Sequence, residues 1–495
     1  MTFLTAFLAV ATTVTTLTLR EPSYDYKQAK TSGYSYSGNL GKNHYEDHPS
    51  LRTSYLQPDG DSVYRIEVVK DGFLVEQYSC KDWSVTDRFF LQDEKYTEPL
   101  AWGSICCGQE HNYLLVGTGD THRIVVYSKD WKKREIAHLS INGNMLSMFN
   151  YGTPALCEAN GCLYGNFSTY CDRKIYTNYT FIMQESNLGY IASGFGEAES
   201  RCQLIAADAT GMYSASQCPT GNRGLLLTKS DPGEAAYFEE GITKNIFPFY
   251  AADSDTTDTG ASFGGMALSS KNVLIAGASC DQSAGPDSPT NIILTVTDKK
   301  TAATEVRNYT NLEQGTVCTP YIVPLQEKDR FALLWDSDAS GSFATSFLIV
   351  DGEGNFLTKT ATVAGMRLSD CTPVVMDDGA LLWYTTGTGT GQYSDEYSSP
   401  VFHRLALDGP GLRGDADLNW EIDAADASRV LAYAASQGLS KKTPLQEDAS
   451  KEAKALSNVD VNADGQINSA DASYILVYTA RAGLGQEPDW SSIIR

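Results

Sequence analysis

The feature that most constrains this chain is a recurrence of β-type sequence at a spacing of 48 residues. YSCKDW, ending at Trp83, returns as YSKDW ending at Trp131, and CTPYIV with FALLWDS returns as CTPVVM with ALLWYTT, so that Trp335 and Trp383 stand the same distance apart. Short apolar runs separated by Gly and Asp turns fill the interval from about 50 to 410, with almost no helical periodicity. Such short runs do not bury a core alone; a unit that returns at a fixed period buries it against its own copies.

Each unit reads as an apolar strand, a turn, a second strand rich in Leu and small residues, a third strand ending in Asp, and a fourth. Four strands in about 50 residues, repeated around an axis, is the pattern of a β-propeller. The expected fold is therefore mainly β, with residues 50–410 as about seven four-stranded blades. Units between about 150 and 260 are the least regular, which leaves six or eight blades open, and a pair of β-sandwiches is the alternative that needs no fixed period. The last unit ends at its third strand, in HRLALDG, so a strand from the irregular segment 26–49, around Gly33 to Asn39, is expected to complete it and close the ring. Asp82, Asp130, Asp298, Asp351 and Asp408 recur at the ends of third strands. An Asp there caps a turn by accepting backbone N–H groups; a row of catalytic carboxylates is the sharper and less economical reading.

Before this region, residues 1–25 read as an export segment: an apolar stretch from Phe3 to Ala11, too short to span a bilayer, with Ala9-Val10-Ala11 as a cleavage site and no basic residues ahead of it. HYEDH, from His44 to His48, reads as a solvated loop and not as a metal cluster.

After the repeats, at 411–495, a second and different repeat appears. DADLNWEIDAAD at 415–426 returns 45 positions later as DVNADGQINSAD at 460–471. Oxygen-bearing side chains fall at loop positions 1, 3, 5, 9 and 12 of each copy, the spacing with which a loop wraps a hard cation. The sets are Asp415, Asp417, Asn419, Asp423 and Asp426, then Asp460, Asn462, Asp464, Asn468 and Asp471. Glu421 and Gln466 stand at position 7, where the backbone carbonyl is the donor. Two Ca2+ ions are the expected cofactors. Helical runs follow both loops, with Val430, Leu431 and Tyr433 answering Ile475, Leu476 and Tyr478, and Gly438 and Gly483 as stops.

This pairing, without a helix ahead of the first loop and with Asp at position 12, resembles a type I-like dockerin. That family plugs secreted proteins of cellulosome-forming anaerobes into cohesin modules of a scaffoldin. The resemblance implies calcium-dependent docking, outside the cell, in either of two orientations related by the near symmetry of the copies. By its terms the partner-binding residues are Ala424, Ala425 and Arg429 in the first copy and Ser469, Ala470 and Tyr474 in the second. Trp420 departs from the pattern, because Gly is usual at position 6 and the second loop keeps Gly465.

Composition bounds the rest. A formal net charge of -23 offers no basic stripe for nucleic acid, and no segment is long and apolar enough to span a membrane. The 11 Cys are scattered without CxxC or Cys/His spacing and are expected to be mostly free, buried thiols. No nucleophile elbow, HExxH or phosphate loop occurs. His111 and His122 flank one hairpin, where a functionless loop pair is the preferred reading over a shared surface. Three functions stay open for the repeats: recognition of plant or dietary polysaccharide without catalysis, glycoside hydrolysis or polysaccharide lysis, and adhesion or protein interaction.

Overall fold

The computed structural model describes Thr13–Thr18 and most of residues 52–494; the longer stretches outside the description are 92–100, 140–145, 148–152, 231–241, 251–258, 338–343, 387–399, 408–412, 438–442 and 485–489. Seven separate antiparallel sheets carry the described strands. Six use consecutive strands: Ser54 to Leu91, Ala101 to Leu139, Leu146 to Ala198, Gln203 to Pro248, Ala261 to Asn308 and Tyr321 to Ala364. First strands of neighbouring sheets touch in sequence around the ring, so they line the axis of a seven-bladed propeller.

The seventh blade joins the two ends of the repeat region. Its strands Val374–Val375, Leu381–Thr386 and Pro400–Ala406 are followed by Thr13–Thr18 as the outermost strand. That strand runs antiparallel, from Thr13 opposite Ala406 to Thr18 opposite Val401. The closing strand thus comes from earlier in the chain than 33–39, which lies outside the described residues, as do His44 to His48. Pairing the first described strand with the last blade removes a sheet edge at the one place where a ring has two loose ends.

The third blade explains why its sequence hides the period. Its second strand, Cys162–Cys171, is ten residues long and offers one edge to two short segments, Ala155–Ala159 near its start and Leu146–Ser147 near its end. The blade therefore has five strands, and a bulged pairing of Ile175–Gln184 with Gly189–Ala198 displaces its turns further.

The 48-residue tryptophan pairs mark equivalent places. Trp83 and Trp131 sit in the turn between third and fourth strands of blades one and two, both left-handed, at φ 59° and 65°. Each reaches back to the preceding blade: Trp131 is fully buried and donates its indole N–H to Gln57 Oε1 at 2.9 Å, and Trp83 packs on Phe402 at 5.0 Å. Trp335 and Trp383 instead lie on second strands, buried in the blade-six and blade-seven cores.

The recurring aspartates are turn caps. Asp82 Oδ1 accepts from Ser84 N, Asp130 Oδ1 from Lys132 N, Asp298 Oδ1 from Lys300 N and Thr301 N, and Asp351 Oδ1 from Glu353 N and Asn355 N, at 2.7–3.1 Å. The Ser84 hydroxyl and amide hold the Asp82 carboxyl below the usual carboxylate range, the Ser128 hydroxyl and the Lys132 amide do the same for Asp130, and the Thr301 amide and hydroxyl for Asp298. Asp408 lies outside the described residues.

Ten cysteines are described, none of them in a disulfide, five of them buried and five half-buried. The C-terminal module holds the described helices: α1 (Ala424–Ser436), α2 (Ala449–Val459), α3 (Ser469–Gly483) and the single turn α4 (Trp490–Ile493). Its core gathers Val430 and Ala427 of α1, Ala455 and Val459 of α2, and Ala472 and Ile475 of α3, with Leu445 between. The helix α2 carries few apolar residues and had no counterpart in the repeat pattern.

Candidate metal centre and docking face

In the first loop the buried carboxylate of Asp426, at position 12, accepts three backbone donors. Oδ1 takes Ala416 N at 2.7 Å and Asp417 N at 3.2 Å, and Oδ2 takes Asp423 N at 2.8 Å. Asp423 is the N-cap of α1 and accepts from Ala425 N at 2.6 Å, completing a capping box with Asp426. One side chain therefore closes the loop on itself and starts the helix.

The second loop repeats two of these three bonds and the cap. Asp471 Oδ1 accepts from Val461 N at 3.0 Å and Oδ2 from Asn468 N at 2.9 Å, while Asn468 caps α3 through Ala470 N at 2.7 Å. Position 4 is left-handed in both copies, Leu418 at φ 61° and Ala463 at φ 58°. Neither residue is the Gly or Asn that such a backbone favours, so sequence carried no signal for it. Gly465 at position 6 is left-handed at φ 79°, as its type suggests.

Asp415, Asp417 and Asp426 are the group of acidic, His or Cys donors among the described residues whose ligand atoms all lie within 4.8 Å of one another. Three converging carboxylates suit a hard, oxygen-loving cation. Burial pushes the Asp426 and Asp471 carboxyls upward while the backbone amides hold them down, and a cation beside them stabilises the ionised form. In the second loop Asp460 accepts from Asp464 N and Gly465 N at 3.1 and 2.9 Å, and Asn462 Nδ2 donates to Asp464 Oδ2 at 2.8 Å. Asp423, Asn419 and Asn468 are half-buried, Gln466 is exposed, and Glu421 lies outside the described residues.

The residues expected to meet a partner sit at the start of the two long helices. Ala424, Ala425, Arg429 and Ser469 are exposed, and Ala470 and Tyr474 are half-buried. Arg429 is engaged internally, donating to Leu445 O at 3.2 Å and standing 3.6 Å from Asp417 Oδ2. One turn further on, equivalent leucines project outward: Leu431 of α1 is 44 % exposed and Leu476 of α3 is 45 % exposed, with Val477 beside the latter. Behind this face Trp490 stacks on Tyr478 at 4.5 Å and against Gly414, whose φ of 105° and close approach leave no room for a side chain.

Residues 413–478 match the Dockerin type I domain family. This module is a type I dockerin. Dockerins of this type bind calcium, and the doubled loop geometry supplies the donors that chemistry needs. No curated protein matches the chain. Solved structures similar to it include a chain of a mitotic checkpoint complex, at 11% identity over 82% of this chain and 99% of that one, TM-score 0.40. Others are a lectin in complex with α-methyl fucoside, at 10% over 66% and 99%, TM-score 0.34, and a thermostable family-43 glycoside hydrolase, at 12% over 53% and 95%, TM-score 0.30.

The propeller to which the dockerin is joined has its own polar features. At the seam of blades one and seven, buried Arg65 bonds Glu76 Oε2 at 2.7 Å and Glu67 Oε2 at 3.2 Å, and Tyr384 donates to Glu67 at 2.5 Å. Burial is the main cause that pushes the Glu67 carboxyl up to about 7. Between blades two and three a cleft of about 800 Å³ is lined by Glu110, His111, Asn160, Glu185 and Asn187. Tyr113 donates to Glu185 Oε1 at 2.5 Å, and His111 Nδ1 lies 3.7 Å from it. The two hairpin histidines share no surface: His111 is at the cleft, and His122, at the other end of the hairpin, is fully buried against Phe167.

Proposed function

We propose that this chain is a secreted component of a cellulosome, docked to a cohesin of a scaffoldin through calcium-dependent binding, and that its propeller serves polysaccharide recognition. The single observation that carries the docking reading is the duplicated loop-and-helix geometry, with Leu431 and Leu476 equally exposed on equivalent turns. Two calcium ions, one per loop, fit the two donor sets. Paired helix starts of small residues, Ala424 and Ala425 beside Ser469 and Ala470, let a flat partner approach closely, and the outward leucines give it apolar area to bury.

For the propeller, the blade-two to blade-three cleft combines amides, a hydroxyl and carboxylates, groups that pair with sugar hydroxyls. Export is compatible with ring closure when cleavage follows Ala11, which leaves Thr13–Thr18 in the mature chain.

The test uses the full chain. With calcium it binds a panel of type I cohesins in native gels; Asp415→Ala with Asp460→Ala abolishes binding. Unimpaired binding by that double variant sinks the docking assignment. A glycan array beside assays for reducing ends and unsaturated uronic products then separates the readings of the propeller: binding without turnover supports recognition, and turnover of any polymer replaces it with catalysis.

A further inference from the structure

The two calcium loops are alike in sequence and internal bonding, yet they do not share the same surroundings. Asp415 is 3 % exposed, and Leu418 and Asn419 are half-buried; their equivalents are a half-buried Asp460 and fully exposed Ala463 and Asp464. Within the module, Asn458 and Gln446 donate to the Asp415 and Ala416 carbonyls at 3.0 Å, and at Asn419 the first loop meets the propeller.

The turn between the blade-six strands Tyr321–Pro324 and Arg330–Ser337 faces it across a cleft of about 450 Å³, lined by Glu327 and Lys328 on one side and Asp417, Leu418 and Gln446 on the other. Arg330, 7 % exposed, donates from Nη2 to the Asn419 carbonyl at 3.3 Å. Lys451 of α2 donates to Gln326 Oε1 at 3.4 Å, and the Gln326 amide is itself held by the Met376 and Asp377 carbonyls of blade seven at 2.9 and 3.1 Å.

The bonded carbonyl belongs to the peptide joining loop positions 5 and 6. In the second loop that turn is made by Gly465, whose left-handed backbone costs nothing. In the first loop position 6 is Trp420, and no glycine eases the turn. We propose that the propeller turn Gln326–Arg330 is the built-in partner of the first calcium loop: Arg330 fixes from outside the peptide that glycine shapes in the second loop. The first site then binds the ion with the propeller's help, and the second binds without it. A guanidinium on a peptide carbonyl that is already turned toward it lowers the ordering cost of the loop, because the position-5 ligand Asn419 is held before the ion arrives.

This rests on the reading of both loops as calcium sites, and the experiment keeps the two apart. In the full chain, Asp460→Ala leaves the first loop as the intact site and Asp415→Ala leaves the second. Calcium affinity is measured by calorimetry in each, with and without Arg330→Ala. The expected result is a loss of about tenfold in the first-loop chain and less than twofold in the second-loop chain. Lys451→Ala, at a half-buried position of α2 outside the blades, gives a smaller loss of the same sign in the first-loop chain. Should Arg330→Ala perturb blade six, visible as a lower propeller melting temperature, the Lys451 variant decides alone. Equal effects on both loops, or none on the first, overturn the inference while leaving the loops as calcium sites; absence of calcium binding in both single-loop chains overturns the reading beneath it.

Discussion

Replacing Asp426 by Ala separates what the metal does in the dockerin from what the fold does. Asp426 accepts three backbone amides and completes the cap of α1. At about 1 kcal/mol for each amide left without an acceptor, the Asp423 amide of the capping box among them, the loss is about 3 kcal/mol before any ligand is counted. Asp464, at position 5 of the second loop, is exposed and holds the single backbone amide of Gln466, at 2.8 Å. Its removal costs about 1 kcal/mol plus the ligand. With one ligand lost in each, the difference is about 2 kcal/mol, or roughly 8–16 °C in melting temperature for a module of this size. Because the described helices all belong to the dockerin, circular dichroism at 222 nm follows it in the full chain at saturating calcium. Asp426→Ala and Asp471→Ala should melt far below Asp464→Ala. Equal melting of all three would mean that ligand count, and not the amide clamp, sets the stability.

Three further outcomes follow from the propeller. Trp131→Ala should lower its stability by about 3–5 kcal/mol in chemical denaturation, since a fully buried indole leaves a cavity and strands Gln57. Burial, the main cause, raises the Glu67 carboxyl from its ordinary 4.5 to about 7 in the fold. The folded state therefore binds the extra proton, so this contribution is complete below about 4.5 and is lost as pH rises through about 7; Glu67→Gln should flatten the fall in propeller melting temperature between pH 5 and 8. Removing residues through Thr18 bares the edge of Pro400–Ala406, and concentration-dependent association in light scattering is the expected result.

The sequence carried the architecture where its signals were periodic. The tryptophan spacing located equivalent turns and strands, and the loop oxygens located Asp426 and Asp471, because a calcium loop dictates residue type at fixed offsets. The third blade stayed illegible since two short segments share one long strand, a pairing that leaves no period. Ring closure by Thr13–Thr18 was hidden for another reason: the Thr-rich TVTTLT reads like the tail of an export segment. The left-handed backbone at Leu418 and Ala463 and the grip of Arg330 on Asn419 are set by tertiary contact, so no local pattern announces them.

The order in which the chain is made gives the pairing of Thr13–Thr18 with Pro400–Ala406 a temporal meaning. Thr13–Thr18 is made some four hundred residues ahead of its mate, and until that mate arrives it has no sheet to join. The dockerin begins at Arg413, immediately behind that mate. A truncated product that lacks the last blade lacks the plug as well, so a scaffold that selects by the plug collects chains long enough to have closed their ring.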